Sequence, residues 1–324
     1  MTQKSANNRN LLKTIASQKE AGAALPLLVL VIVVAFVNQN FFGIMNLMDV
    51  LRTASFWIMI AVPVTFLMSA GGIDLSLGAA TSMGGVVCGK ALKAGMPIVT
   101  AILLALAVGI LIGLINGVCV VKFQLPGFIL TLGMQYCING LINVWTSGLS
   151  ISNFSKAYTQ MGQLRIGGVV PIPLVYALVI AIVGHIMLTQ AKFGRKVLAV
   201  GGNAETARLA GINVERTRIL TYVAVSAMAA LAGVVYGARF ATVQPAIGTG
   251  SEMNIMAAVI VGGTSMMGGV GTIVGTVIGS VLLAMITNVL IMLGVSAYWQ
   301  AFVFGLILII SLFIDRYRQQ TLNA

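Results

Sequence analysis

Apolar runs long enough to cross a bilayer follow one another, with short breaks, from residue 23 to residue 314, and no other feature constrains the fold as much. Only 8% of the residues are charged and 59% are hydrophobic, whereas a soluble domain carries about 25% charged residues. The mean hydropathy of +1.02 agrees. A water-facing globule is therefore excluded. One membrane-crossing helix uses about 20 apolar residues, so 324 residues hold on the order of ten helices and leave no room for a sizeable soluble domain.

Cut at its polar and glycine-rich breaks, the chain gives ten spans: 23–37, 53–70, 75–92, 97–121, 125–145, 171–190, 218–239, 253–267, 272–293 and 297–314. Nine or eleven are the alternatives. Spans two and three are parted only by Gly71-Gly72-Ile73-Asp74, and spans eight and nine run together through glycines. The segment Ile44–Arg52 reads as a helix lying at the membrane interface. The N-terminus (Lys4, Arg9, Lys13 and Lys19 before an apolar run) has the outline of a signal peptide. No small-residue cleavage site precedes Asn38, so the run reads as an uncleaved helix. The expected organisation is a cytoplasmic segment 1–22, a transmembrane domain 23–314 with a cytoplasmic loop 192–218, and a cytoplasmic tail 315–324.

A net charge of +12 would suit nucleic-acid binding, but the basic residues lie between apolar runs and not on one face. Membrane orientation explains them better. With the N-terminus inside, thirteen of the nineteen basic residues fall on the cytoplasmic side, six of them in 192–218. Trp57 and Trp145 lie near span ends, where interface anchors belong. Cys88, Cys119 and Cys137 sit within apolar segments and read as small packing residues, with no disulfide or metal spacing.

The 37 glycines are patterned. Gly109, Gly113 and Gly117 recur at spacing four, as do Gly271, Gly275 and Gly279, and the pairs Gly85/Gly89 and Gly233/Gly237. Such spacing gives one thin helix face on which another backbone can pack closely; helix sliding during transport is the sharper alternative. Thr81-Ser82-Met83-Gly84-Gly85-Val86 resembles Thr264-Ser265-Met266-Met267-Gly268-Gly269-Val270. A two-fold internal repeat and coincidence in a glycine-rich chain both account for that likeness. The fold class is all-α and polytopic, with that repeat as a candidate feature.

Within 192–218, Asn203 is a good N-cap, Glu205 suits the first turn and Arg208 the last, and Gly211 supplies a stop. These predict a helix of about two turns, Ala204–Ala210, flanked by Gly201-Gly202. Two turns are unstable alone and are expected to dock onto something else. Asp74, with Ser76, suits either an N-cap for span three or a place on a polar path. Asn116, Gln135, Asn139, Asn143 and Asn288 either bond between helices or line such a path; Gln135, Asn139 and Asn143 share one helix face. Glu252, with Arg239, reads as external and flanks a docking surface or is simply solvated. His185, the single histidine, has no companions for catalysis or metal binding, and no Ser/His/Asp or Cys/His grouping marks an enzyme.

Several segments in fixed order carry a family resemblance: Gly72-Ile73-Asp74-Leu75-Ser76-Leu77-Gly78, Gly201-Gly202-Asn203 through Ala207-Arg208-Leu209-Ala210-Gly211-Ile212, and Gln244-Pro245 with Gly248-Thr249-Gly250. Gly262-Gly263-Thr264-Ser265 with Gly268-Gly269 and Gly271, then Leu293-Gly294-Val295-Ser296, complete the set. The chain resembles the permease subunit of ATP-binding-cassette importers, in the ribose/xylose/galactose-type sugar branch close to the branched-chain amino-acid permeases. Leu77 and Ala210 depart mildly from a pattern that more often has Val and Ser there.

The resemblance implies a bacterial inner-membrane permease with cytoplasmic termini, working as a dimer with an identical or paralogous copy. Cassette ATPases would bind inside and a periplasmic or lipid-anchored binding protein outside. The coupling residues it implies are Gly201, Gly202, Asn203, Glu205, Ala207, Arg208 and Gly211. The solute it implies is a monosaccharide, with ribose-type pentoses leading and a furanose-like signal or a nucleoside as alternatives. No phosphate-binding GxxxxGK loop occurs, so ATP and magnesium are expected on the partner and no cofactor on this chain. An ion-coupled secondary transporter is the competing class; it would be expected to carry several paired intramembrane ionisable residues.

Overall fold

The computed structural model describes residues 39–296 and five positions between 299 and 309. The expected span 23–37, most of span 297–314 and both terminal segments lie outside the described residues. A 3-10 turn at Gln39–Phe42 leads into α1 (Ile44–Ser69), followed by α2 (Leu77–Lys93), α3 (Ile98–Lys122) and α4 (Gly127–Thr146). Strand β1 (Ile151–Ser152), helix α5 (Lys156–Gln163) and the hairpin β2 (Arg165–Ile166) and β3 (Val170–Pro171) come next. Then follow α6 (Ile172–Thr189), α7 (Lys192–Gly202), α8 (Ala204–Leu209), α9 (Val214–Phe240), strand β4 (Thr242–Val243), α10 (Ser251–Val261) and α11 (Ile273–Met292). Among the described residues, α1, α3, α4, α6, α9 and α11 are long and apolar enough to cross a membrane. α2 has 17 residues and α10 only 11.

Helix α9 is the hub, packed against α1, α2, α3 and α5. Its fit on α3 comes from the glycine face: a Cβ on Gly113 would stand 2.6 Å from the Tyr222 carbonyl oxygen and the Val223 Cα. Gly109 and Gly117 meet α9 in the same way, and Gly275 and Gly279 bring α11 against Gly262 and Ala258 of the α10 segment. Since lipid removes the hydrophobic drive between helices, close backbone approach supplies dispersion in its place. The spaced glycines therefore act in packing.

Both short breaks end their helices in one way. Gly71 (φ +78°) and Gly263 (φ +89°) adopt left-handed conformations that a side chain would strain. The Gly72 amide bonds the Leu67 carbonyl at 2.9 Å and the Thr264 amide the Val259 carbonyl at 3.2 Å, each six residues closing on one. Carbonyls that would otherwise be stranded are thus satisfied. These breaks correspond locally, whereas the two Thr-Ser-Met segments do not: Thr81–Val86 is helical within α2 and Thr264–Val270 lies in a turn.

Three expectations are corrected. Ile44–Arg52 is the first part of α1 and not a separate interfacial helix, because neither Gly nor Pro interrupts 44–62. Trp57 consequently sits mid-helix at 8% exposure and not at a helix end. The span expected at 253–267 stops at Val261, where Gly262-Gly263 breaks it.

Candidate functional site

The break between α1 and α2 holds a buried polar cluster. Asp74 is 2% exposed, and its Oδ1 accepts from the Ser76 amide at 2.7 Å and the Ser76 hydroxyl at 2.6 Å. Asn116 on α3 donates through Nδ2 to Ser76 Oγ at 2.8 Å, and at 3.5 Å to Asp74 Oδ2. The Leu75 amide donates to Thr131 Oγ1 on α4 at 3.0 Å, and the Tyr222 hydroxyl on α9 donates to the Ile73 carbonyl at 3.1 Å. Three helices, α3, α4 and α9, thus converge on the segment that leads into α2. Asp74 holds Ser76, the residue that opens α2, and Asp74, Ser76 and Asn116 form one group.

Glu252 was expected outside, beside Arg239, and lies elsewhere. Residues 241–252 dip inward along α2: Val243 packs against Gly85, Gly248 donates to Ser82 Oγ at 2.9 Å, and Glu252 Oε2 occupies the space where a Gly78 Cβ would be. Gly78 is roughly 22 Å from the Lys93 end of α2 at 1.5 Å per residue. Glu252 is 7% exposed, and its Oε1 accepts from Gln135 Nε2 on α4 at 3.0 Å. Arg239 instead lies over the Phe56 and Phe240 rings, 5.2 and 5.0 Å from their centroids. Composition could not show this inward dip, since Ala241–Ser251 is as polar as an external loop.

The other amides divide. Asn288 exchanges bonds with Asn46, 3.0 and 3.2 Å, tying α11 to α1. This places it in helix–helix bonding and away from the polar cluster. A double-mutant cycle with Asn46→Ala and Asn288→Ala, read by thermal unfolding, is expected to give about 0.6–1.7 kcal/mol of coupling, with transport intact in the double variant. Asn139 lies one turn beyond Gln135 and has a buried, unpartnered Oδ1. Asn143 is exposed and its Nδ2 donates to the Asn139 carbonyl at 3.0 Å. Most of α4 is uncovered, with Tyr136 at 73% exposure, and Gly133 and Gly140 face open space.

The loop 192–218 contains more helix than its sequence suggested. Lys192–Gly202 forms α7, so Gly201 and Gly202 end a helix and do not merely flank one. The Asn203 side chain accepts from the Thr206 amide at 2.9 Å to start α8, and Gly211 (φ +80°) follows its end. Ala207 is buried with Val200 and Val214, Glu205 and Arg208 pair loosely at 3.8 Å on the surface, and Leu209 is 82% exposed. Gly201 is seated against the Ser69 carbonyl and Gly269, which are themselves bonded, Gly269 amide to Ser69 carbonyl at 2.9 Å. Arg218 Nε adds a bond to the Ala70 carbonyl at 3.2 Å. The loop therefore touches both helix breaks directly. Among the described residues no three His, Cys, Asp or Glu stand together as a metal site would require.

A bundle of long apolar helices, with paired glycine-stopped breaks and a helical loop over 192–218, has the architecture of a polytopic membrane protein. Residues 46–312 match the family model for the permease component of the branched-chain amino acid transport system, and the chain belongs to that family. It is similar to the ribose import permease protein RbsC of Escherichia coli K12, 35% identical over 93% of this chain and 94% of the relative. The ribose import permease of Bacillus subtilis 168 is 34% identical over 92% and 93%. The autoinducer 2 import system permease protein LsrC of Escherichia coli O157:H7 is 33% identical over 94% and 89%. No solved structure matches. The chain is a multi-pass transporter subunit.

Proposed function

We propose that this chain is the membrane subunit of an ATP-binding-cassette importer for a small polyhydroxylated solute, a ribose-type pentose in the first instance. It resides in a bacterial inner membrane with both termini cytoplasmic. A separate ATPase drives it, a binding protein delivers the solute from outside, and a second permease copy completes the path. The observation that carries this reading is the seat of Gly201: a force applied to the exposed α8 is delivered through α7 to the Ser69 and Gly269 backbones at both breaks. The second copy is supported by α4, whose uncovered Asn143 would be costly against lipid. The similarity to an autoinducer 2 import permease keeps a furanose-like signal as the alternative solute.

The test is uptake of labelled D-ribose into proteoliposomes holding the permease, its ATPase and its binding protein. Uptake that requires ATP supports the reading; uptake on an ion gradient without the ATPase overturns it. Leu209→Asp, at an 82% exposed position, is expected to leave thermal stability within about 0.5 kcal/mol. It should weaken ATPase association in a pull-down at least tenfold.

A further inference from the structure

The buried carboxylate of Glu252 takes no part in the coupling route, in the Asp74 cluster or in the amide pair of Asn46 and Asn288. Its position is unusual. It lies in the first turn of α10, an 11-residue helix that begins deep beside the first turn of α2 and never runs the full width of a membrane. Broken half-helices of this kind place polar groups where the bilayer otherwise excludes them. One carboxylate oxygen is engaged by Gln135, while the other is buried and has no hydrogen-bond partner. One turn along α4, Asn139 presents a second buried acceptor, Oδ1, equally unpartnered. Residues 135 and 139 are four apart and so lie on one face, roughly 6 Å from each other.

A carboxylate only accepts hydrogen bonds, and an amide both donates and accepts. Two unmet acceptors beside one engaged amide call for a ligand rich in donors, and vicinal hydroxyl groups supply them. A buried acceptor left unpaired is unfavourable, so a hydroxylated solute relieves a cost that the closed protein carries. The tie between Gln135 and Glu252 bridges α4 and α10, so separation of these helices would open the acceptors.

We infer that Glu252, with Gln135 and Asn139, forms an intramembrane binding site for the hydroxyl groups of the transported solute. This rests on the permease reading and adds to it a residue placed at the solute.

The test uses the full complex in proteoliposomes, with D-ribose as the probe and saturating loaded binding protein. Glu252→Gln keeps the shape and replaces one acceptor oxygen with a donor; it is expected to lower the maximal uptake rate at least tenfold, with assembly with the ATPase retained. Glu252→Asp keeps the acceptors and is expected to recover part of the rate. In a Glu252→Cys complex, millimolar D-ribose is expected to slow modification by a small thiol reagent. Erythritol and D-arabitol are expected to protect in proportion to their hydroxyl groups, and 1-butanol not at all. Wild-type uptake from Glu252→Gln overturns the inference, as does loss of assembly in both Gln and Asp variants, which makes the residue structural. Absence of ATP-dependent uptake by the wild-type complex instead counts against the permease reading, and the protection experiment still decides the site.

Discussion

Gly201→Ala is expected to reduce ATP-driven uptake by at least tenfold while Gly202→Ala, its immediate neighbour, stays within about twofold of the parent. A methyl group at 201 overlaps the Ser69 carbonyl and the Gly269 amide nitrogen, both backbone atoms that cannot rotate away. At 202 the same methyl meets nothing within 4 Å. Overpacking against a fixed backbone costs about 1–3 kcal/mol. Here it also separates the α7 end from the Gly269-to-Ser69 hydrogen bond of 2.9 Å. The expected signature is uncoupling: ATP hydrolysis persists, because α8 and its exposed Leu209 are untouched, and uptake falls. Parallel measurement of both rates in proteoliposomes checks it. Equal uptake by the two variants would remove Gly201 from the coupling route.

Asp74→Ala carries the second large effect, on stability. The substitution strips the amide and hydroxyl of Ser76, the residue that opens α2, of their acceptor in a site where Asp74 itself is 2% exposed. A buried donor left unpaired costs about 1–3 kcal/mol. For the two donors together, thermal unfolding in detergent should therefore show a loss of about 2–4 kcal/mol. Asp74→Asn is expected to lose less. Its carbonyl can still accept from Ser76, while the new amide takes the place of Oδ2 and gives up only the long 3.5 Å bond from Asn116 Nδ2. A milder Asn variant with intact assembly identifies Asp74 as a hydrogen-bond acceptor for Ser76; equal losses from Ala and Asn would make the negative charge itself the stabilising element.

Much of the fold was legible because hydropathy and glycine act locally. Helices α3, α6 and α11 lie within one residue of the spans expected from apolar runs. Asn203 and Gly211 bound a short helix as their side-chain and backbone chemistry requires. The path residues were less legible. Asn288 and Asn116 are both amides in apolar helices, and nothing local separates the one that bonds Asn46 from the one that reaches Ser76. Glu252 was misplaced for a related reason: the inward dip of 241–252 depends on Gly78 and Gly85 of a distant helix leaving room for it.

By itself, then, the sequence determined a polytopic helical membrane protein of a permease type, with a capped short helix over 204–209 and thin glycine faces. Apolar runs, caps and left-handed glycines act within a turn or two of themselves. Only the tertiary structure decided that Gly201 bears on both helix breaks, that Asp74, Ser76 and Asn116 meet, and that Glu252 is buried against Gly78 and Gln135. Those relations reach across about 40 to about 170 positions of sequence, and hydrogen bonds and backbone contacts over such separations exist only once the helices are packed.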